Sequence, residues 1–127
     1  MNLLKLTERT AHTLQCCEHL MADLGCEDHQ RALAASVDAL RKHPPVAPPV
    51  VVGLFNQCMA HADSVIRAIA RAPTSPALDA MDTLRRSLLR LQDSVDHLHA
   101  AAALRAGAAG RRTSVSSLPA PGALRTG

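Results

Sequence analysis

Tryptophan and tyrosine are absent from this 127-residue chain, and phenylalanine occurs once, as Phe55. A specific nucleic-acid binder presents a basic face carrying aromatic or polar readers. The lone aromatic here falls on an apolar stripe, and charge of one sign is scarce as well. Up to Arg105 the chain carries 11 basic and 11 acidic residues, so Arg111, Arg112 and Arg125 supply the whole net charge of +3. Specific binding of DNA or RNA is therefore not expected. No apolar run approaches the roughly 18 residues that span a bilayer, and Glu8 follows Met1–Leu6 without a signal-type cleavage pattern. These absences predict a soluble protein of the cytoplasm or nucleus with no membrane span. Glycine-rich phosphate loops, a nucleophile elbow and a zincin-type helix motif are missing too. No catalytic residue, cofactor or small-molecule substrate is expected, and the chain reads as a non-enzyme.

What the sequence does contain is helical periodicity. From Ala77 to Ala102 apolar residues recur in a four-three alternation through Met81, Leu84, Leu88, Leu91, Val95 and Leu98. A mean spacing near 3.5 residues keeps one helix face turned to a partner along its whole length. Leu3, Thr7, Thr10, Leu14, Cys17, Met21 and Leu24 repeat the pattern, widened by Leu6 and Leu20. Val51, Phe55, Cys58, Ala62, Val65, Ile69 and Ala72 repeat it again, flanked by Leu54 and Ile66. A shorter segment, Glu27–His43, offers Leu33, Val37 and Leu40 with Ala32, Ala35 and Ala39, which suits a closely approaching helix. Asp79, Asp82, Asp93 and Asp96 fall on the outward side of the last helix as solvated charge.

Breaker residues set the expected limits. Gly25 is expected to end the first helix with positive φ. Arg41, Lys42 and His43 suit the dipole at the end of the second, and Pro44 stops it. Pro44–Pro49 reads as a stiff connector in which Pro49 or a neighbour opens the third helix. Ser75 is expected as the N-cap of the fourth helix, with Pro76 at its first position. From Gly107 the composition turns to Gly, Ser, Pro and Ala. The expected organisation is thus a helical bundle over 1–105 and a disordered tail over 106–127.

Three of the four cysteines stand three residues before a histidine: Cys16 and His19, Cys26 and His29, Cys58 and His61. That spacing brings two side chains toward one helical face, and thiolate with imidazole suits zinc or copper. The structural reading treats Cys17 and Cys58 as small apolar residues. Cys16 and His19, with His12, are placed on the outer face of the first helix. Adjacent Cys16 and Cys17 point apart, against a disulfide.

Ala11-His12-Thr13-Leu14 resembles the phosphoacceptor motif of histidine phosphotransfer domains, which are four-helix bundles with an exposed histidine. That family continues with lysine and glycine, where this chain has Gln15 and Cys16. Losing the lysine removes a charge that would assist phosphate. Arg111-Arg112-Thr113-Ser114-Val115 resembles a basophilic kinase substrate, with Ser114 as the acceptor whose phosphate would offset local positive charge.

These readings converge on an all-α, antiparallel up-down four-helix bundle with a long coiled-coil-like C-terminal helix. Its expected work is protein–protein assembly, as an adaptor or structural subunit of a larger complex. A last helix longer than the second would leave apolar seam uncovered, which calls for a homo- or hetero-oligomer. In size and layout this resembles short helical subunits of assemblies such as Mediator or the kinetochore. The alternative is a metal-binding bundle built on the Cys-x-x-His pairs. A histidine phosphotransfer-like domain is a third reading.

Overall fold

The computed structural model describes the backbone from Met1 to Ser117 and side chains as far as Gly107. It contains four helices: α1 (Leu3–Ala22), α2 (Glu27–Lys42), α3 (Pro49–Arg71) and α4 (Ser75–Ser117). No strand occurs among the described residues. The chain divides into two units, Met1–Val95 and Asp96–Gly127. The first holds α1, α2, α3 and the N-terminal part of α4; the described portion of the second is the continuation of α4. The expected tail boundary after residue 105 lies inside that helix, and Ser114 sits where side chains are outside the described set.

Helix starts follow the local chemistry. Asn2 caps α1, its Oδ1 accepting from the Lys5 amide at 2.8 Å, which satisfies one of the orphan donors of the first turn. Pro49 opens α3 as expected, since its missing amide would have had no partner there. The start of α4 lies one residue earlier than expected. Thr74 O accepts from the Ala77 and Leu78 amides at 3.0 and 3.1 Å, so Thr74 is the cap and Ser75 and Pro76 are the first two helical residues.

The end of α1 also differs from expectation. It stops at Ala22, where the Asp23 amide donates to Leu20 O at 3.0 Å. Gly25 is not in the left-handed region. The reversal is closed by backbone and side-chain bonds instead: Cys26 N to Asp23 O at 3.2 Å, and Gln30 Nε2 to Leu24 O at 2.7 Å. Between α2 and α3, Met1 pins the proline connector. Its terminal amine donates to Pro44 O at 2.7 Å, and its carbonyl accepts from Val46 N at 2.9 Å.

Within Met1–Val95, α2 packs on both α1 and α3. Two polar contacts tie α4 into the same group: Cys17 Sγ to Met81 O at 3.5 Å, and His61 Nδ1 to Ser87 Oγ at 3.0 Å. The seam of α4 is its best-buried face. Ala77, Met81, Leu84, Leu88, Leu91 and Val95 are all at most 1% exposed. Leu33, Val37 and Leu40 of α2 and Val51, Phe55, Cys58, Ala62 and Val65 of α3 are buried as expected.

In α1 the buried face is rotated from the expected stripe by less than one residue step of about 100°. It runs through Leu6, Thr10, Thr13, Cys17 and Leu20, while Leu3, Thr7, Leu14, Met21 and Leu24 are half-buried. The cause is polar. Thr10 and Thr13 satisfy their hydroxyls on the helix's own carbonyls, Leu6 O at 2.8 Å and Arg9 O at 2.9 Å. Thr13 Oγ1 also meets Ser36 Oγ of α2 at 2.5 Å. Threonines bonded this way bury without stranding a polar atom. Ser36 takes the place in α2's buried face expected of alanine, and Ala32 and Ala35 are exposed.

Candidate functional site

The Cys-x-x-His spacing does not bring the six candidate ligands together. Cys16 is 7% exposed on the buried side of α1, contrary to the outer-face placement expected for it, because the rotated face carries it inward. His19, three residues on, is exposed. Cys16 Sγ lies 3.7 Å from His12 Nε2, and the His12 side chain is otherwise exposed. Cys58 is buried between α3 and α4, and His61 is half-buried beside Ser87. Cys26 and His29 stand at the start of α2, both half-buried. Among the described residues no group of three or more His, Cys, Asp or Glu side chains is placed to hold a metal ion. One cross-helix approach does occur. The rings of His19 on α1 and His29 on α2 have centroids 5.7 Å apart with planes inclined at 47°.

The buried thiols are chemically quiet. Burial pushes the Cys17 thiol up to about 11, with Glu18 adding to the rise. Burial does the same for Cys58, also to about 11, against a lowering hydrogen bond from Ser87. Cys16 is raised by burial as well. A thiol held this high is protonated near neutrality and makes a poor nucleophile or metal ligand. The Ser87 and His61 pair has the atoms of a nucleophile and its base, but Ser87 is only 2% exposed, so no substrate reaches its hydroxyl.

The α4 residues expected to meet partners, Met81, Leu84, Leu88, Leu91 and Val95, are covered by the chain itself; Leu98 is half-buried. Their apolar alternation does not distinguish an internal core from an external seam, and the structure assigns them to the core. Asp82 is half-buried rather than freely solvated. Hydrogen bonds from Arg86 and Arg85 hold its carboxyl below the usual range.

Apolar surface left uncovered lies elsewhere. Between α2 and α3 runs a groove of about 230 Å³, floored by Leu33 and walled by Ala34, Ile66, Ile69 and Ala70, with Gln30 and Arg31 at its rim. Ile66 is 38% exposed and Ile69 half-buried, although both belong to the apolar stripe of α3. The sequence carried a signal for this groove. α2 has 16 residues against 23 in α3, and its first turns offer alanine where large side chains would be needed for cover.

No helix among the described residues is long and apolar enough to cross a membrane. No protein family, no curated protein and no solved structure matches the chain.

Proposed function

We propose that this chain is a non-enzymatic helical subunit that assembles with other proteins by helix packing, built as an antiparallel up-down bundle whose last helix pairs in coiled-coil fashion. The links 23–26 and 72–74 are short, which favours antiparallel neighbours. The four-three seam of α4 supports knob-like packing against its neighbours. All four cysteines are free thiols, in keeping with a reducing compartment such as cytoplasm or nucleus.

The observation that carries the assembly reading is the α2–α3 groove. The stripe of α3 that buries Val51, Phe55, Cys58, Ala62 and Val65 inside the chain continues in the same alternation to Ile69, where cover is incomplete. A surface that continues the bundle's own packing pattern suits an occupant of the same kind. That occupant is an amphipathic helix of a partner protein, seating apolar anchors between α2 and α3. The Cys-x-x-His pairs support no competing reading of the whole chain, because the three pairs lie in different surroundings and two of the thiols are held protonated.

The test compares the wild-type chain with Ile66→Glu in affinity purification from its native cells, with circular dichroism and thermal melting of both purified proteins. Ile66 is exposed enough for the variant to keep its helicity and melting temperature. The expected result is a reproducible set of co-purifying chains, lost in Ile66→Glu while the fold is unchanged. A set indifferent to Ile66→Glu, or none at all, overturns the reading.

A further inference from the structure

His19 is in the last turn of α1 and His29 is in the first turn of α2, on the two sides of the reversal at 23–26. That reversal is braced by the Asp23, Cys26 and Gln30 hydrogen bonds described above. The two helix ends are therefore held close enough for the imidazoles to approach one another. Their planes, at 47°, are far from the parallel arrangement of stacked rings. Two imidazoles that each place a nitrogen about 2.1 Å from one ion bring their centroids to roughly 5.3 Å at a tetrahedral angle, and the observed 5.7 Å corresponds to that angle opened to about 120°. His19 is exposed and His29 half-buried, so a hydrated ion reaches both.

From this geometry we propose that His19 and His29 together chelate a divalent late transition-metal ion across the α1–α2 reversal, with water completing the coordination. Neutral imidazole suits zinc, nickel and copper, with affinity rising toward copper(II). Cys16 is not a third ligand, since it is buried with a raised thiol and faces His12. Two protein donors make an open, exchanging site. An ion held there links the end of α1 to the start of α2 and stabilises the folded chain by mass action. The inference is independent of the assembly reading, because the α2–α3 groove contains neither histidine.

The full chain, purified without metal and kept reduced with a non-chelating phosphine, is melted with and without about 1 mM zinc chloride. Zinc avoids the thiol oxidation that copper(II) would cause. The expected result is a rise of several degrees in Tm and a stoichiometry of one ion per chain by titration calorimetry. His19→Gln and His29→Gln each abolish both effects, whereas His12→Gln keeps them. Should either glutamine variant be unstable without metal, nickel(II) serves as the second probe. Its paramagnetic broadening in the wild-type proton spectrum is expected to fall first on the His19 and His29 ring resonances. No shift with zinc, a shift that survives either His19→Gln or His29→Gln, or broadening centred on another histidine overturns the proposal.

Discussion

At the residue scale the buried polar groups do more to define this core than their number suggests. Thr13 and Ser36 sit where α1 and α2 meet, and their hydroxyls satisfy one another and a helix carbonyl. The pair favours this rotation of α1 because Ser36 Oγ is bonded to Thr13, and an apolar residue at position 13 would leave that buried hydroxyl without its partner on α1. Cys17 and Cys58 report on the same interior. Each thiol is raised from an ordinary value of 9.0 to about 11. The folded state thus holds these protons more tightly than the unfolded chain. The stability they contribute is fully present below about pH 9 and is lost as pH rises through 11. Chemical denaturation between pH 8 and 11 is expected to show that decline, amounting to ~2–3 kcal/mol per thiol at the upper end. Cys58→Ala should flatten the slope, and an unchanged slope in Cys17→Ala and Cys58→Ala together would exclude the thiols as its source.

Helix α3 shows how an element combines good packing with a weak local choice. Gly53 lies in its second turn, exposed, and a Cβ built there meets nothing within 4 Å. Glycine in a helix interior costs about 1 kcal/mol relative to alanine, mostly through backbone entropy. Gly53→Ala is therefore expected to raise unfolding free energy by about that amount, read from urea denaturation. A loss of stability would show that the folded chain does not accept a Cβ at this position. The same element leaves Ile66 and Ile69 uncovered, so its apolar stripe exceeds what the shorter α2 can shield.

For Met1–Val95 as a whole, the seam of α4 is the common support. Leu88 is fully buried, and the residues around it touch α1 through Met81 and α3 through Ser87. Leu88→Asp removes an apolar contact and leaves a carboxylate in the core, a cost above about 4 kcal/mol that approaches the stability of a small domain. The expected outcome is loss of helical circular dichroism across the chain in one step, not local fraying of α4. A variant that keeps full helicity and a cooperative melt would show that the seam is not the core.

The sequence alone determined that this chain is helical, where α1, α2 and α3 fall and where α4 starts to within about two residues, and which side of α4 is buried, but not where α4 ends. Those properties follow from local rules: a four-three apolar alternation, proline at helix starts and the end of α2 before Pro44. Rotation of α1 was less legible. Leu14 looked like core and Thr13 did not, because hydrophobicity cannot register a hydroxyl whose partners arrive from Arg9 O and from Ser36 on another helix. The same limit applies to the candidate sites. Spacing put three of the four cysteines three residues before a histidine, but only tertiary packing decided that Cys58 is buried beside Ser87 and that His19 meets His29 across a reversal. Contacts between helices depend on how far each rod turns and how much of its neighbour it covers. Periodicity within one helix does not contain that information.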